Sequence, residues 1–204
     1  MTPEPVRCAL SERFGWIALD FVNTVVVTRS GPVDAFSTVD LLVSWMDLAN
    51  PPGWSDLQPQ RLTDRRILHA EAVRLRATID ALLSSATTRE TMTASIGYAL
   101  GRPLTWVRTQ HRIVGDTSSA LTLECRREAL HPAGALGPIV EDAVRLVASV
   151  PAIRLRRCRA HDCLRWFADT SKSGRRSWCS MATCGNRAKA ARFRARHEGA
   201  VDAT

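Results

Sequence analysis

Apolar and polar positions along this chain change their period several times. Residues 14–27, FGWIALDFVNTVVV, form a nearly continuous apolar run, which suits a buried strand or a buried helix. Asp20 and Asn23 stand three residues apart inside it, so on a helix they share a face. Polar and Gly/Pro residues then open a gap through Gly31-Pro32. Ser37-Thr38 supplies a helix cap. Val39, Leu42, Trp45 and Met46 recur at helical spacing until Asn50-Pro51-Pro52-Gly53 stops the helix near Ala49. A second helix is predicted from Gln60 to Ser84, with Leu68, Leu75, Ile79 and Leu82 inward. A shorter one spans Arg89 to Leu100, ended by Gly101-Arg102-Pro103.

The pattern then shortens to period two. LTWVRT at 104–109 and ALTLEC at 120–125 alternate, with Gly and Ser between them, and read as a hairpin. Pro138 marks the first turn of a last body helix ending near Val150, and Pro151 marks a boundary. The expected fold is mainly α with a small β element. A helical N-terminal domain, 1–150, precedes a small C-terminal module, 151–204, built of a β-hairpin and a helix.

Charge sharpens that division. The whole chain carries a formal +8, yet residues 151–204 hold 13 of the 28 Lys and Arg against 4 of the 20 Asp and Glu, a net +9. Residues 1–150 therefore sit near −1. A neutral body with a basic end implies two jobs. The N-terminus lacks the pattern of a secretory signal, and no apolar run is long enough to span a bilayer, so the expectation is a cytoplasmic protein with no membrane partner.

Cysteine spacing supplies the candidate chemistry. Cys158, Cys163, Cys179 and Cys184 form two C-x4-C pairs fifteen residues apart, whereas Cys8 and Cys125 stand alone. Four thiolates can close a tetrahedral shell around one Zn²⁺ per chain; His161 and His197 are alternative nitrogen ligands. A segment this short has too little apolar surface to fold unaided, and a metal supplies the missing stability. A closed shell leaves no position for water, and no nucleophile-elbow, phosphate-loop or H-E-x-x-H motif occurs. No catalytic residue is assigned, and the chain is not expected to be an enzyme.

Basic residues surround the cysteines. Arg175, Arg176, Arg187, Lys189, Arg192, Arg194 and Arg196 are the candidate nucleic-acid contacts, with almost no acid to balance them until Glu198. On a helix opening at Cys184, Lys189, Arg192 and Arg196 form one stripe and Arg187 and Arg194 another. Ala190 and Phe193 lie between, available to pack on the zinc core. Arginine in this density favours phosphate and guanine, so double-stranded DNA is the first partner. An RNA-binding protein or a protein-interaction adaptor using the same module are the alternatives. Exposure of Trp166, Phe167 and Trp178 would favour RNA, whose readers stack bases on a sheet. The bland reading gives these aromatics to a miniature core.

The tetrad Cys184-Gly185-Asn186-Arg187, with Cys158, Cys163 and Arg175-Arg176-Ser177-Trp178-Cys179, resembles the CGNR zinc-finger family over residues 154–197. Leu19-Asp20-Phe21-Val22-Asn23-Thr24 resembles the opening motif of the ABATE domain. That domain accompanies CGNR fingers in bacterial proteins described as candidate stress-induced transcription regulators. The resemblance implies zinc held by the four cysteines, DNA binding by the module, and a sensor or interaction role for the first domain. Asp20 and Asn23 are then either contacts to a small-molecule effector or a buried polar pair that fixes the first element. A homo-oligomer is compatible with all of this.

Overall fold

The first apolar run resolves into both of its candidate forms. Ile17–Val22 is a helix, α1, and Val25–Thr28 is a strand, β1. The computed structural model describes residues 14–28, 31–115 and 121–201, with C-terminal side chains described as far as Arg194; Cys8 lies outside these residues. The expected gap at Gly31-Pro32 is instead the returning strand β2, Gly31–Asp34, antiparallel to β1 from Val25↔Asp34 to Thr28↔Gly31. Gly31, at φ 113°, takes a conformation that side chains avoid, and a two-stranded ribbon tolerates the missing Pro32 N–H on its edge.

Helix α2 spans Val39–Ala49; the Thr38 hydroxyl accepts from Leu41 N at 3.2 Å, and Asn50 ends it in the left-handed region. A short helix that the sequence pattern missed, α3, covers Trp54–Leu57. Helix α4, Leu62–Thr88, buries Leu68, Leu75, Ile79 and Leu82 as expected, and Ala72 and Leu83 beside them. Helix α5 runs Ala94–Thr105, later than its prediction at both ends. Left-handed Arg89 and the Thr93 cap delay its start, and Gly101-Arg102-Pro103 falls inside its last turns with Pro103 buried. Strands β3, Val107–Val114, and β4, Thr122–Ala129, form the expected hairpin, longer than predicted and mostly exposed. Helix α6, Gly137–Ser149, carries Pro138 in its first turn. Gly137 is required by close approach, since a Cβ there would meet Val107 Cγ1 at 2.8 Å.

The core of this helical body centres on Phe21, Phe36 and Trp45, whose rings lie 5.2–5.5 Å apart, Phe21 and Phe36 tilted to each other and Trp45 edge-on to both. Beside it Arg76 from α4 grips both carboxylate oxygens of Asp34 and bonds Thr24 Oγ1 at 2.9 Å. Burial alone would raise the Asp34 pKa, but Arg76 and the Phe36 N–H overcome it and hold the carboxyl below its ordinary value.

The same core continues past residue 150. Strands β5, Leu155–Arg157, and β6, Trp166–Ala168, pair antiparallel, and Leu155, Trp166 and Ala168 are buried among the body's residues. Asn23 ties them in. Its Nδ2 donates to Trp166 O at 2.8 Å and its Oδ1 accepts from Trp166 N at 2.7 Å, as a neighbouring strand would. Asp80 on α4 accepts from Trp166 Nε1 at 2.8 Å and from the Arg157 guanidinium at 2.7 and 2.8 Å. Arg157 in turn lies over the Trp166 ring, 4.4 Å from its centroid.

Replacing Asn23 with Ala leaves two buried backbone groups without partners. The expected cost is about 2–6 kcal/mol of unfolding free energy, from roughly 1–3 for each orphaned group. Urea denaturation checks this; a loss within experimental error would mean that water or a backbone shift replaces the amide.

Candidate metal centre

The two paired cysteines meet because three turns deliver them. Cys158 follows β5 and Cys163 lies in the loop before β6, held by Cys158 N donating to Arg165 O at 2.9 Å and Cys163 N to Ala160 O at 3.1 Å. Cys179 ends a loop fixed by Asp169, whose buried carboxylate accepts from Ser171 N at 3.0 Å, Ser171 Oγ at 2.6 Å and Arg176 N at 2.8 Å. Burial would raise the Asp169 pKa, but these donors keep it below the ordinary value. Cys184 stands in a single π-helical turn, Met181–Gly185, started by Ser180, whose hydroxyl accepts from Thr183 N at 3.3 Å. That turn runs directly into helix α7, Asn186–Val201.

The four Sγ atoms lie within 4.8 Å of one another, with Cys163–Cys179 at 3.7 Å and Cys179–Cys184 at 3.6 Å. Zinc–sulfur bonds of about 2.3 Å place tetrahedral sulfurs about 3.8 Å apart, so the donor set fits one Zn²⁺. Crowding drives the thiol acidities apart. Cys163, hydrogen-bonded to Cys179, is lowered to about 5, while Cys158 is pushed up by burial. All four sulfurs can be thiolates in one place only with a cation beside them. Bound there, zinc would supply structure, with all its positions filled by protein.

Support around the sulfurs comes from the tetrad and from arginine. Cys179 N points at Cys158 Sγ, 3.4 Å away. Arg187 donates to Cys184 Sγ at 3.3 Å and to Asp162 at 2.5 Å, so its guanidinium braces the centre. Asn186 Nδ2 donates to Ala182 O at 3.2 Å and stitches the π turn to α7. Gly185 serves close packing, because a Cβ there would meet Met181 Sδ at 2.8 Å and Trp178 Cδ1 at 3.2 Å; its φ lies outside the left-handed region.

The other candidate residues separate into two groups. Arg176 donates to the carbonyls of Trp178, at 2.7 Å, and of Cys179, and lies 5.1 Å from the Phe167 ring centroid, so with Arg187 it is engaged inside the module. Arg175, Lys189, Arg192 and Arg194 are exposed; the Arg196 side chain lies outside the described residues. Phe193 and Ala190 do not pack on the zinc core as expected. Both are exposed, Phe193 at 60%, because α7 leaves the module after its first turn. Trp166 and Phe167 are buried and Trp178 is half-buried. Asp20 and Asn23 are buried too, the Asp20 carboxylate accepting from Phe14 N at 2.6 Å and the Asn23 amide engaged with Trp166. Sequence reasoning missed Asp80, Arg157, Asp162 and Asp169, whose partners are loop neighbours or lie 25 to 86 residues away in the chain.

A family model described as "CGNR zinc finger" matches residues 154–197, and the ABATE model, described as "Putative stress-induced transcription regulator", matches residues 15–150. No curated protein matches the chain. Among the described residues, no helix is long and apolar enough to cross a membrane.

X-ray absorption of the purified chain should show one zinc with four sulfur neighbours; nitrogen in the first shell would exclude the all-cysteine set. Chelation should melt the cysteine loops, and it should also lower the melting temperature of the helical body, because Leu155 and Trp166 belong to both. A body transition unmoved by chelation would show that the shared core carries no coupling. Arg187→Ala should weaken zinc binding about 10- to 100-fold in competition with a chromophoric chelator. Unchanged affinity would reduce Arg187 to a surface residue.

Proposed function

We propose that this chain, which belongs to the ABATE family and ends in a CGNR zinc finger, is a zinc-dependent regulator of transcription that binds double-stranded DNA through residues 151–204. The observation that carries this is the composition of α7 where it leaves the metal centre. From Asn186 to Arg194 its side chains are exposed or half-buried, four are basic and none is acidic. An exposed helix of that charge and width suits the major groove and the phosphates flanking it. The four cysteines set the helix start, and Arg187 stiffens it, so that Arg175, Lys189, Arg192, Arg194 and Arg196 remain for the nucleic acid. Burial of Trp166 and Phe167 argues against the RNA alternative, since neither can stack a base.

The helical body takes the regulatory half of this reading. Its neutral charge makes it a poor binder of DNA by itself. The division at residue 150 is then one of labour, while the packing is continuous. Asn23 and Asp80 hold the module by its Trp166 strand, so a change in the body reaches the finger through those contacts.

Affinity for duplex DNA should fall with salt at a log–log slope of about −4 to −5, given roughly five phosphate contacts at −0.9 each. Replacing Lys189, Arg192 and Arg196 together with Ala should flatten the slope by about 2–3 units, with zinc content unchanged. Fluorescence anisotropy over a salt series measures this. An unchanged slope would mean that the stripe is only a solvated face, and the adaptor reading would replace this one.

A further inference from the structure

The end of α4 and the zinc module face each other across an open cleft of about 490 Å³. Four arginines, Arg156, Arg157, Arg159 and Arg176, line it together with the hydroxyl residues Ser177, Thr87 and Thr88, and no carboxylate does. Arg157 is neutralised by Asp80. Among the described residues the others are not paired with acids. Arg156 donates to the Ile153 and Gly174 carbonyls, each at 2.9 Å, and Arg176 to those of Trp178 and Cys179. Neutral partners fix these two side chains in place and leave their charge, and several of the five N–H groups of each guanidinium, available. Arg159 is exposed, and among the described residues its guanidinium has no partner.

A helix C-terminus ordinarily repels an anion. Here two carbonyls of the last turn of α4 are already occupied: Ser84 O accepts from the Thr87 and Thr88 hydroxyls at 2.8 and 3.2 Å, and Ser85 O from Glu90 N at 3.1 Å. Asp169, whose field Arg156 feels, is buried and saturated by Ser171 and Arg176. The cleft therefore presents Arg156 and Arg176, held in place by carbonyls, and the exposed Arg159 to solvent in a concave site.

We infer that this cleft is a phosphate-binding site, separate from the basic face of α7. Its ligand is a phosphate mono- or diester, gripped by Arg159 with Arg156 and Arg176. The phosphate belongs either to a nucleic-acid backbone or to a free phosphorylated small molecule. The Trp166 ring beneath is buried and covered by Arg157, so the site reads the phosphate and stacks no base. One wall belongs to the ABATE region and the other to the finger, so occupancy joins the two. The inference goes beyond the DNA reading and does not need it.

The test is calorimetric titration of the zinc-loaded full chain with inorganic pyrophosphate, repeated for Arg159→Ala, Arg159→Glu and the Lys189/Arg192/Arg196 triple alanine variant. Among the described residues the Arg159 side chain has no partner to lose, so its variants are expected to keep the fold and the metal. Saturable binding is expected, weakened at least about tenfold by Arg159→Ala, abolished by Arg159→Glu, and unchanged in the triple variant. Duplex DNA added as competitor identifies the source. Displacement of pyrophosphate, with DNA affinity also lowered by Arg159→Glu, assigns the site to the backbone; co-binding assigns it to a small phosphorylated ligand. Pyrophosphate binding without any DNA binding would sink the DNA reading and leave this site standing. No saturable pyrophosphate binding, or binding indifferent to Arg159→Glu, overturns the site.

Discussion

Trp166 is clasped by the helical body from across the chain, and the arrangement of the molecule depends on that hold. Its backbone is bonded in both directions by one side chain, Asn23; its indole N–H is received by Asp80; and Arg157 covers its ring while sharing the same carboxylate. A buried tryptophan needs a partner for its N–H, and a three-residue strand has too few ladder bonds to hold itself. Both needs are met from a different part of the chain. The β5–β6 pair is thus placed against α1 and α4 before the cysteine loops are considered, and those loops grow from its ends.

The arginines of the C-terminal region then fall into two populations. Arg154, Arg156, Arg157, Arg176 and Arg187 act as internal struts, reaching carbonyls of loops that have no secondary structure to satisfy them, or a carboxylate or thiolate. A small fold rich in irregular backbone leaves many carbonyls unpaired, and a planar five-donor group is the most economical way to gather them. High positive charge near the metal is therefore partly a structural requirement, which offsets the negative charge of a zinc held by four thiolates. Only the N–H groups and charge left open to solvent, on struts and exposed arginines alike, say anything about a partner.

Much of this was legible in the sequence. Periodicity located α2 and α4, a proline marked the start of α6, and cysteine spacing identified the four sulfurs that converge. These signals are local, and local signals survive folding. Errors came where a residue type has two uses. Gly31-Pro32 looked like an interruption and proved to be a strand edge, because a two-stranded ribbon does not demand every N–H. Gly101 and Pro103 looked like a stop signal, but both lie in the last turns of α5, where the buried Pro103 ring is tolerated. Phe193 looked like core because helix geometry alone cannot say how far a helix travels with its neighbours. The struts and the Asp80 clasp were invisible for a different reason: a contact between residues 77 or 86 positions apart leaves no periodic trace.

The burial of Leu155, Trp166 and Ala168 within the body has a consequence for how such proteins can be recombined. A finger whose folding information ends at its own metal can be moved between proteins as a cassette. This one carries a tryptophan and a leucine that are interior only in the presence of α1 and α4. Cut free at Pro151 it would display them to water beside an unsatisfied strand edge, a sticky surface inviting self-association. Fused to a foreign domain it would need that domain to supply an amide where Asn23 stands and a carboxylate where Asp80 stands. The finger and its body therefore fold as a pair, and a foreign domain could replace the body only by supplying both groups.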